Sequence, residues 1–390
     1  MLALSPDSRT FVPTNTPPAL GVLVCEREGA APFAEGAYIR RLSAVADRIG
    51  FALVAFAPWT WDARGNSVRG WVWNKREQRW TARARSLPRV VYDRAWPASE
   101  AERRRFQVAL RRLREAVPLT FLNGRLPHKG KVGELLAREP EFAALVPPTA
   151  PYAGTKPMLE WLNRHGGSAF LKPAAGSQGR RAIACSRASD GTVALAGRTG
   201  DNRPFTVRAA SETEALGRLH RWIGSRAYIM QPLLSLHTER EEPFDLRALL
   251  QKNARGRWTI TGIAARVGAS GTMTANLHGG GRAHPARRVL EPLLGEKPAL
   301  AVEHRIRETS LRLAGWIEET FGRFAEIGLD FGVDRSGRLW FLEANSKPGR
   351  TAMGSAGDEA ARRAVEQPMS YASTILLRQS GRVFHEFDDS

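Results

Sequence analysis

Apolar residues in this chain alternate between short runs and helical spacing, and that alternation lays out its elements. Residues 20–25 (LGVLVC) and 51–56 (FALVAF) are short apolar runs that read as buried strands. Between them Tyr38, Leu42, Val45 and Ile49 recur at helical spacing over 33–49, and Gly50 supplies a stop. A strand–helix–strand opening predicts an α/β unit with parallel pairing. Residues 88–96 (PRVVYDRAW) read as another strand, with Asp93 and Arg94 at its C-terminal end, where open α/β sheets place ligands. Residues 101–116 form an amphipathic helix, with Phe106, Leu110 and Leu113 on one side and six arginines on the other.

Further on, Asn123-Gly124 is a turn signal, and Lys129 or Lys131 opens a short helix bearing Val132, Leu135 and Leu136. A lysine ahead of such a helix can serve as a mobile point charge for phosphates. Residues 169–172 (AFLK) and 182–185 read as strands around a turn containing Gly176, Ser177, Gln178 and Gly179. Strand, Lys172, glycine-rich turn and strand make a phosphate-covering flap, because glycine lets backbone N–H groups approach oxygens closely. A plain flexible hairpin is the alternative. A helix over 211–223 starts at a Ser211 cap with Glu214 three residues on. Strands follow at 227–232, at 245–253 and, after a turn, at 258–268. Asp245 and Arg247 share a face by the period of two. Arg247, Arg266 and Asn276 are expected at strand ends, as site residues rather than surface charges. Residues 304–321 form a helix with Ile306, Leu313, Ile317 and Phe321 inward.

The chain is organised around residues 326–350, which read as a β-hairpin: strand 327–333, turn residues Asp334 to Gly337, and a second apolar strand from Leu339. Asp330 on the first strand falls near Glu343 on the second. Glu343 and Asn345 lie two apart and project from one face. Two carboxylates and an amide oxygen converging make a hard-oxygen site suited to Mg²⁺ bridging nucleotide phosphates. A polar hairpin face in water is the competing reading, and it conflicts with the burial implied by Trp340, Phe341 and Leu342.

Composition narrows the class. The 390 residues suffice for two or three packed domains, and 43% hydrophobic with 25% charged residues is a globular balance. No run approaches the ~20 apolar residues of a membrane helix, and the N-terminus lacks a secretion-signal pattern. The two cysteines, Cys25 and Cys185, are far apart and form no metal or redox motif, so buried thiols in a reducing compartment are expected. The net charge of +19 admits three explanations: arginine-rich composition, acidic substrates, or nucleic acid. The tryptophans and basic residues over 59–80 can stack bases. Edge strands whose tryptophans pack on the α/β unit are the reading favoured here.

Asp330, Glu343, Asn345, Pro348 and Gly349 together resemble the metal-binding hairpin of ATP-grasp ligases, D-(x12)-E-x-N-x-x-P-G. Over residues ~120–350 the ordered series before them resembles the same superfamily. The DLR, AAR and NLHGGG run is most similar to the RimK-type carboxylate–amine ligases, and the whole chain is closer still to the YheC/YheD family of endospore-associated proteins, a match that includes the LGVLV and VVYDR strands and the FDLRALLQKN and EANSKPG segments. The resemblance implies an α/β fold with α+β lobes: an ATP-grasp fold whose two lobes clasp ATP, preceded by an N-terminal α/β pre-ATP-grasp domain. The implied boundaries are 1–118 for that domain, 119–232 and 233–354 for the lobes, and 355–390 for a helix and tail. It further implies that Lys129 and Lys172 contact ATP phosphates, with Lys131 as the alternative to Lys129. Gly176, Ser177, Gln178 and Gly179 cover them; Met230, Gln231 and Leu233 frame the adenine; Asp245 belongs to the nucleotide site. Asp330, Glu343 and Asn345 hold one or two Mg²⁺, with Mn²⁺ as substitute. Arg266, with Arg247 and Asn276, stabilises the reacting phosphoryl group or oxyanion.

The implied activity is amide or peptide bond formation through an acyl phosphate. The partners would be a small molecule or peptide bearing a carboxylate, and an amine. A cytoplasmic, spore-associated location and a homodimer are expected, with neither membrane nor nucleic acid as partner. A small-molecule kinase on the same fold and a non-catalytic coat-associated binding protein are the alternatives.

Overall fold

The computed structural model describes residues 18–29, 32–127, 129–174, 179–269 and 281–379. The chain divides into two compact units, residues 1–120 with 372–390, and residues 121–371.

In the first unit, β1 (Ala19–Leu23), α1 (Gly36–Ile49), β2 (Ala52–Phe56), β3 (Ser67–Asn74), β4 (Arg79–Ser86), β5 (Val90–Asp93), α2 (Glu100–Ala116) and β6 (Thr120–Phe121) follow in order. Their sheet has the order β4-β3-β2-β1-β5-β6, with β1 parallel to both β2 and β5, as the opening pattern predicts. Helix α1 begins three residues later than its apolar spacing suggests. Glu35 adopts a left-handed φ of 59°, and Phe33 pairs with Glu26 outside the helix. Phe33 instead packs edge-on against Trp80, which in turn packs against Trp73. The tryptophans of the β3–β4 hairpin are therefore packing residues, in line with the edge-strand reading. Helix α2 is capped by Ser99, whose Oγ accepts from the Glu102 N–H at 3.1 Å.

The second unit continues with α3 (Lys129–Leu136), β7 (Ala150–Pro151), α4 (Thr155–Arg164), β8 (Ser168–Pro173), β9 (Ile183–Arg187), β10 (Val193–Arg198), β11 (Pro204–Ala209), α5 (Glu212–Ile223) and β12 (Tyr228–Gln231). Then come β13 (Phe244–Lys252), β14 (Trp258–Val267), β15 (Arg282–Pro285), α6 (Ala286–Leu294), α7 (Glu296–Phe321), β16 (Glu326–Val333), β17 (Leu339–Asn345) and α8 (Asp358–Gln379), whose residues from Ala372 on count with the first unit. Among the described residues these strands form two sheets, β11-β10-β9-β8-β12-β7 and β15-β14-β13-β16-β17.

The second sheet positions the site through its alternation. Leu246, Ala248 and Leu250 of β13, with Ile327, Leu329 and Phe331 of β16, join Ile306, Leu313 and Ile317 of α7 in one core. The intervening positions, Asp245, Arg247 and Gln251 on β13 and Glu326, Gly328 and Asp330 on β16, therefore point to the opposite face. On β17 a β-bulge changes the count. Phe331 pairs with Phe341 but Asp330 pairs with Glu343, so Leu342 is the extra residue. Phe341 faces the core, and the bulge turns Glu343, two residues on, to the opposite face beside Asp330. Without it, period-two alternation would drive the Glu343 carboxylate into apolar surroundings.

Candidate active site

The polar face of the second sheet carries a buried cluster of charges. Arg247 and Asp330 are cross-strand partners. The Arg247 guanidinium donates to both Asp330 oxygens, through Nε to Oδ1 and through Nη2 to Oδ2, the latter at 2.9 Å. Arg266 holds Asp245 in the same two-pronged way, at 2.5 and 2.7 Å, and its Nη2 also lies 3.0 Å from Asp330 Oδ2. Asn345 Nδ2 donates to Asp330 Oδ2 at 3.3 Å and to Glu343 Oε1 at 3.1 Å. Arg247 sits inside β13 rather than at a strand end, which corrects that expectation.

Burial and pairing set the protonation of this cluster. Burial pushes Asp330 up, but Arg247 and Arg266 outweigh it and hold the carboxyl well below the usual range. Burial raises Asp245 to about 6, against the pull of Arg266 and with a push from Asp330. Burial lowers Arg266, yet Asp245 and Asp330 more than reverse this and keep it charged. Asp330 is shared between the two guanidiniums, and Asp245 is held by one of them.

The donor chemistry fits a hard divalent cation. Glu343 is only partly buried, and rotating the Asn345 amide would present its oxygen in place of Nδ2. Asp330 can contribute only where a guanidinium yields one of its oxygens, since both already accept from arginine.

A narrow cavity of about 20 Å³ lies within this unit, lined by Gly130, Gly133, Thr149, Lys172, Gln231 and Leu342, among others. That is space for roughly one water molecule. Gln231 Nε2 donates to Thr149 Oγ1 at 2.8 Å across its rim. Of the three residues expected at the adenine, Gln231 lines the cavity, Leu233 is half-buried just beyond β12, and the Met230 side chain is turned into the core of the β11-β10-β9-β8-β12-β7 sheet. Lys131 pairs with Glu134, its Nζ 3.1 Å from each carboxylate oxygen. The Lys129 side chain lies outside the described residues, as do Gly176, Ser177, Gln178 and Asn276. Gly179 is described and takes a φ of +64°, a turn conformation that glycine adopts at little cost.

Comparison with known proteins decides the family. The family model of YheC/D-like ATP-grasp proteins matches residues 118–375, well over half of the chain. The chain belongs to the YheC/D-like ATP-grasp family. It is 23% identical over 348 residues to the endospore coat-associated protein YheC of Bacillus subtilis (strain 168), covering 89% of this chain and 94% of YheC. To YheD of the same organism it is 28% identical over 283 residues, 71% of this chain but only 60% of YheD. Among solved structures, a Chryseobacterium gregarium RiPP-associated ATP-grasp ligase, in complex with ADP and a leader and core peptide, aligns over 93% of this chain and 97% of its own. At 12% identity and a TM-score of 0.52, that likeness establishes the ATP-grasp fold.

Three residues of this unit's polar network were not singled out in the sequence. Asn123 reads there as a turn former, and Glu326 and Arg350 as the ends of the hairpin segment. Their partners lie up to 223 positions away, so no local pattern could have announced them.

Proposed function

We propose that this YheC/D-like protein is an ATP-dependent carboxylate–amine ligase. The observation that carries the proposal is the opposition of Asp330 and Glu343, bridged by Asn345, with two buried arginines alongside. The ADP-bound ligase of the same fold supports a nucleotide here. Lys172 at the narrow cavity supports a phosphate-facing cation.

In the proposed reaction a substrate carboxylate oxygen attacks the γ-phosphorus of ATP, and ADP leaves with the electrons of the broken P–O bond. The amine nitrogen then attacks the carbonyl carbon of the acyl phosphate. The C–O bond to phosphate breaks, orthophosphate departs, and the nitrogen releases its proton to solvent. Glu343, the Asn345 amide oxygen and Asp330 would hold Mg²⁺, whose chemistry is to neutralise phosphoryl charge. Arg266, held by Asp245, would stabilise negative charge growing at the transferring group as a fixed positive charge. No side-chain nucleophile is required. The +19 balance favours an acidic amino acid or peptide as the carboxylate substrate.

The test is ADP and orthophosphate release on a panel of carboxylate and amine pairs. Stimulation by a specific pair supports a ligase. ADP without orthophosphate would instead identify a kinase, and silence across the panel would remove the enzymatic reading. The names of both curated relatives, endospore coat-associated proteins, favour a second reading: a coat-associated protein that binds nucleotide without turnover. Under that reading Glu343→Gln leaves the biological role intact.

A further inference from the structure

Immediately after Glu343 and Asn345 the chain makes a loop over residues 346–350, and this loop is fastened to β16 at three separate points. The first is Asn123, whose side chain is buried. Its Nδ2 donates to the carbonyl of Glu326 at 3.1 Å and to that of Ser346 at 2.5 Å. Its Oδ1 accepts from the N–H groups of Ala325 at 2.8 Å and Glu326 at 3.2 Å. One amide thus satisfies four backbone groups from two segments, as a short piece of β-ladder would. The second is an ion pair between Arg350 and the fully buried Glu326. Gln251, cross-strand from Glu326, donates to the same carboxylate at 3.0 Å. The third is steric. A methyl group at Gly328 would lie 2.8 Å from Pro348 Cβ, so the loop rests directly on the strand between Glu326 and Asp330.

These contacts stand one step behind the oxygen donors, at the loop that follows Asn345 and at the strand that carries Asp330. A buried carboxylate is unfavourable unless paired, and a buried backbone carbonyl unless it accepts a hydrogen bond, so these contacts hold the loop to β16 in one arrangement. We propose that Asn123, Glu326 and Arg350 are positioning residues for the cation–nucleotide site. They fix the 346–350 loop and thereby the direction in which Glu343 and Asn345 present oxygen. The inference rests on the nucleotide reading proposed above, and it assigns these three residues no contact with ligand.

The test is calorimetric binding of ADP to the full chain, with Mg²⁺ and again in EDTA, for the wild type, Asn123→Ala and Arg350→Lys. The quantity read is the gain in affinity that Mg²⁺ confers. Loss of residues that orient metal ligands typically weakens metal binding about 10- to 100-fold. The Mg²⁺-dependent gain is therefore expected to shrink at least about tenfold in each variant, with ADP affinity in EDTA within about twofold of wild type. A gain unchanged from wild type in a folded variant overturns the inference. So does an equal loss with and without Mg²⁺, which marks a general fold defect. Should one variant fail to fold, the other decides. Wild-type protein that binds no ADP under either condition overturns the nucleotide reading itself, and the inference with it.

Discussion

Arg247 and Asp330 face each other across neighbouring antiparallel strands, and one guanidinium holds both oxygens of one buried carboxylate. Neither group is affordable alone at this depth. Breaking a buried pair by removing one partner typically costs 3–5 kcal/mol, because an uncompensated charge remains. Arg266 would still reach Asp330 in Arg247→Leu, so the lower end applies. Urea unfolding should show a loss of about 3 kcal/mol. Arg247→Lys should recover only part of it, since an ammonium cannot make the two-pronged contact.

Arg266 has a different expected signature. If it stabilises charge that develops during phosphoryl transfer, Arg266→Ala should lower turnover about 10²-fold or more. Asp245→Asn, which loosens the grip on Arg266, should fall between wild type and that variant. Steady-state kinetics on the first active substrate pair would measure both. Equal turnover for wild type and Arg266→Ala would rule out the role.

The hairpin turn predicts a pH dependence. Asp334 Oδ1 accepts from Ser336 N–H, Ser336 Oγ and Arg338 N–H, and Oδ2 accepts from Trp340 Nε1. Burial pushes its pKa up, but these hydrogen bonds outweigh burial and hold it below the ordinary value. A folded-state pKa below the unfolded one adds stability that is present above about pH 4 and lost as pH falls through the folded value. Asp334→Asn should therefore cost about 1 kcal/mol near neutrality and less in acid. Thermal melts of both proteins between pH 7 and 3 would converge. Parallel curves would mean that Asp334 contributes nothing as a charge.

Gly262 tests the packing behind the sheet. A methyl group there would meet Ala360 Cβ at 2.9 Å, Ala356 Cβ at 3.0 Å and Met353 Sδ at 3.2 Å. Both alanines are too short to swing aside, so Gly262→Ala should wedge residues 353–360 from β14 at a cost of about 1–3 kcal/mol. Denaturant midpoints would register it.

Both cysteines are buried, and burial pushes the Cys185 thiol up to about 12. Native protein at pH 8 should show negligible reaction with a thiol reagent over minutes, and both thiols should titrate in urea. Prompt labelling of either in the native state would contradict the burial.

The sequence by itself determined many of the elements, the parallel opening of the first unit's sheet and the segment that carries the oxygen donors. Those features are local. Apolar periodicity fixes strand and helix, Ser99 and Ser211 mark helix starts, and Asp330, Glu343 and Asn345 stand in a readable series. Even there, the alternation could not reveal that Leu342 is bulged, which is what turns Glu343 away from the core that holds Phe341. Only the tertiary structure decided which charges meet. It paired Arg247 with Asp330 and Arg266 with Asp245, buried Glu326 against Arg350, and drew Asn123 across more than 200 positions to the loop after Asn345. The physical reason is that a buried charge or carbonyl must find its partner wherever the fold brings one, and the chain's order carries no record of that distance.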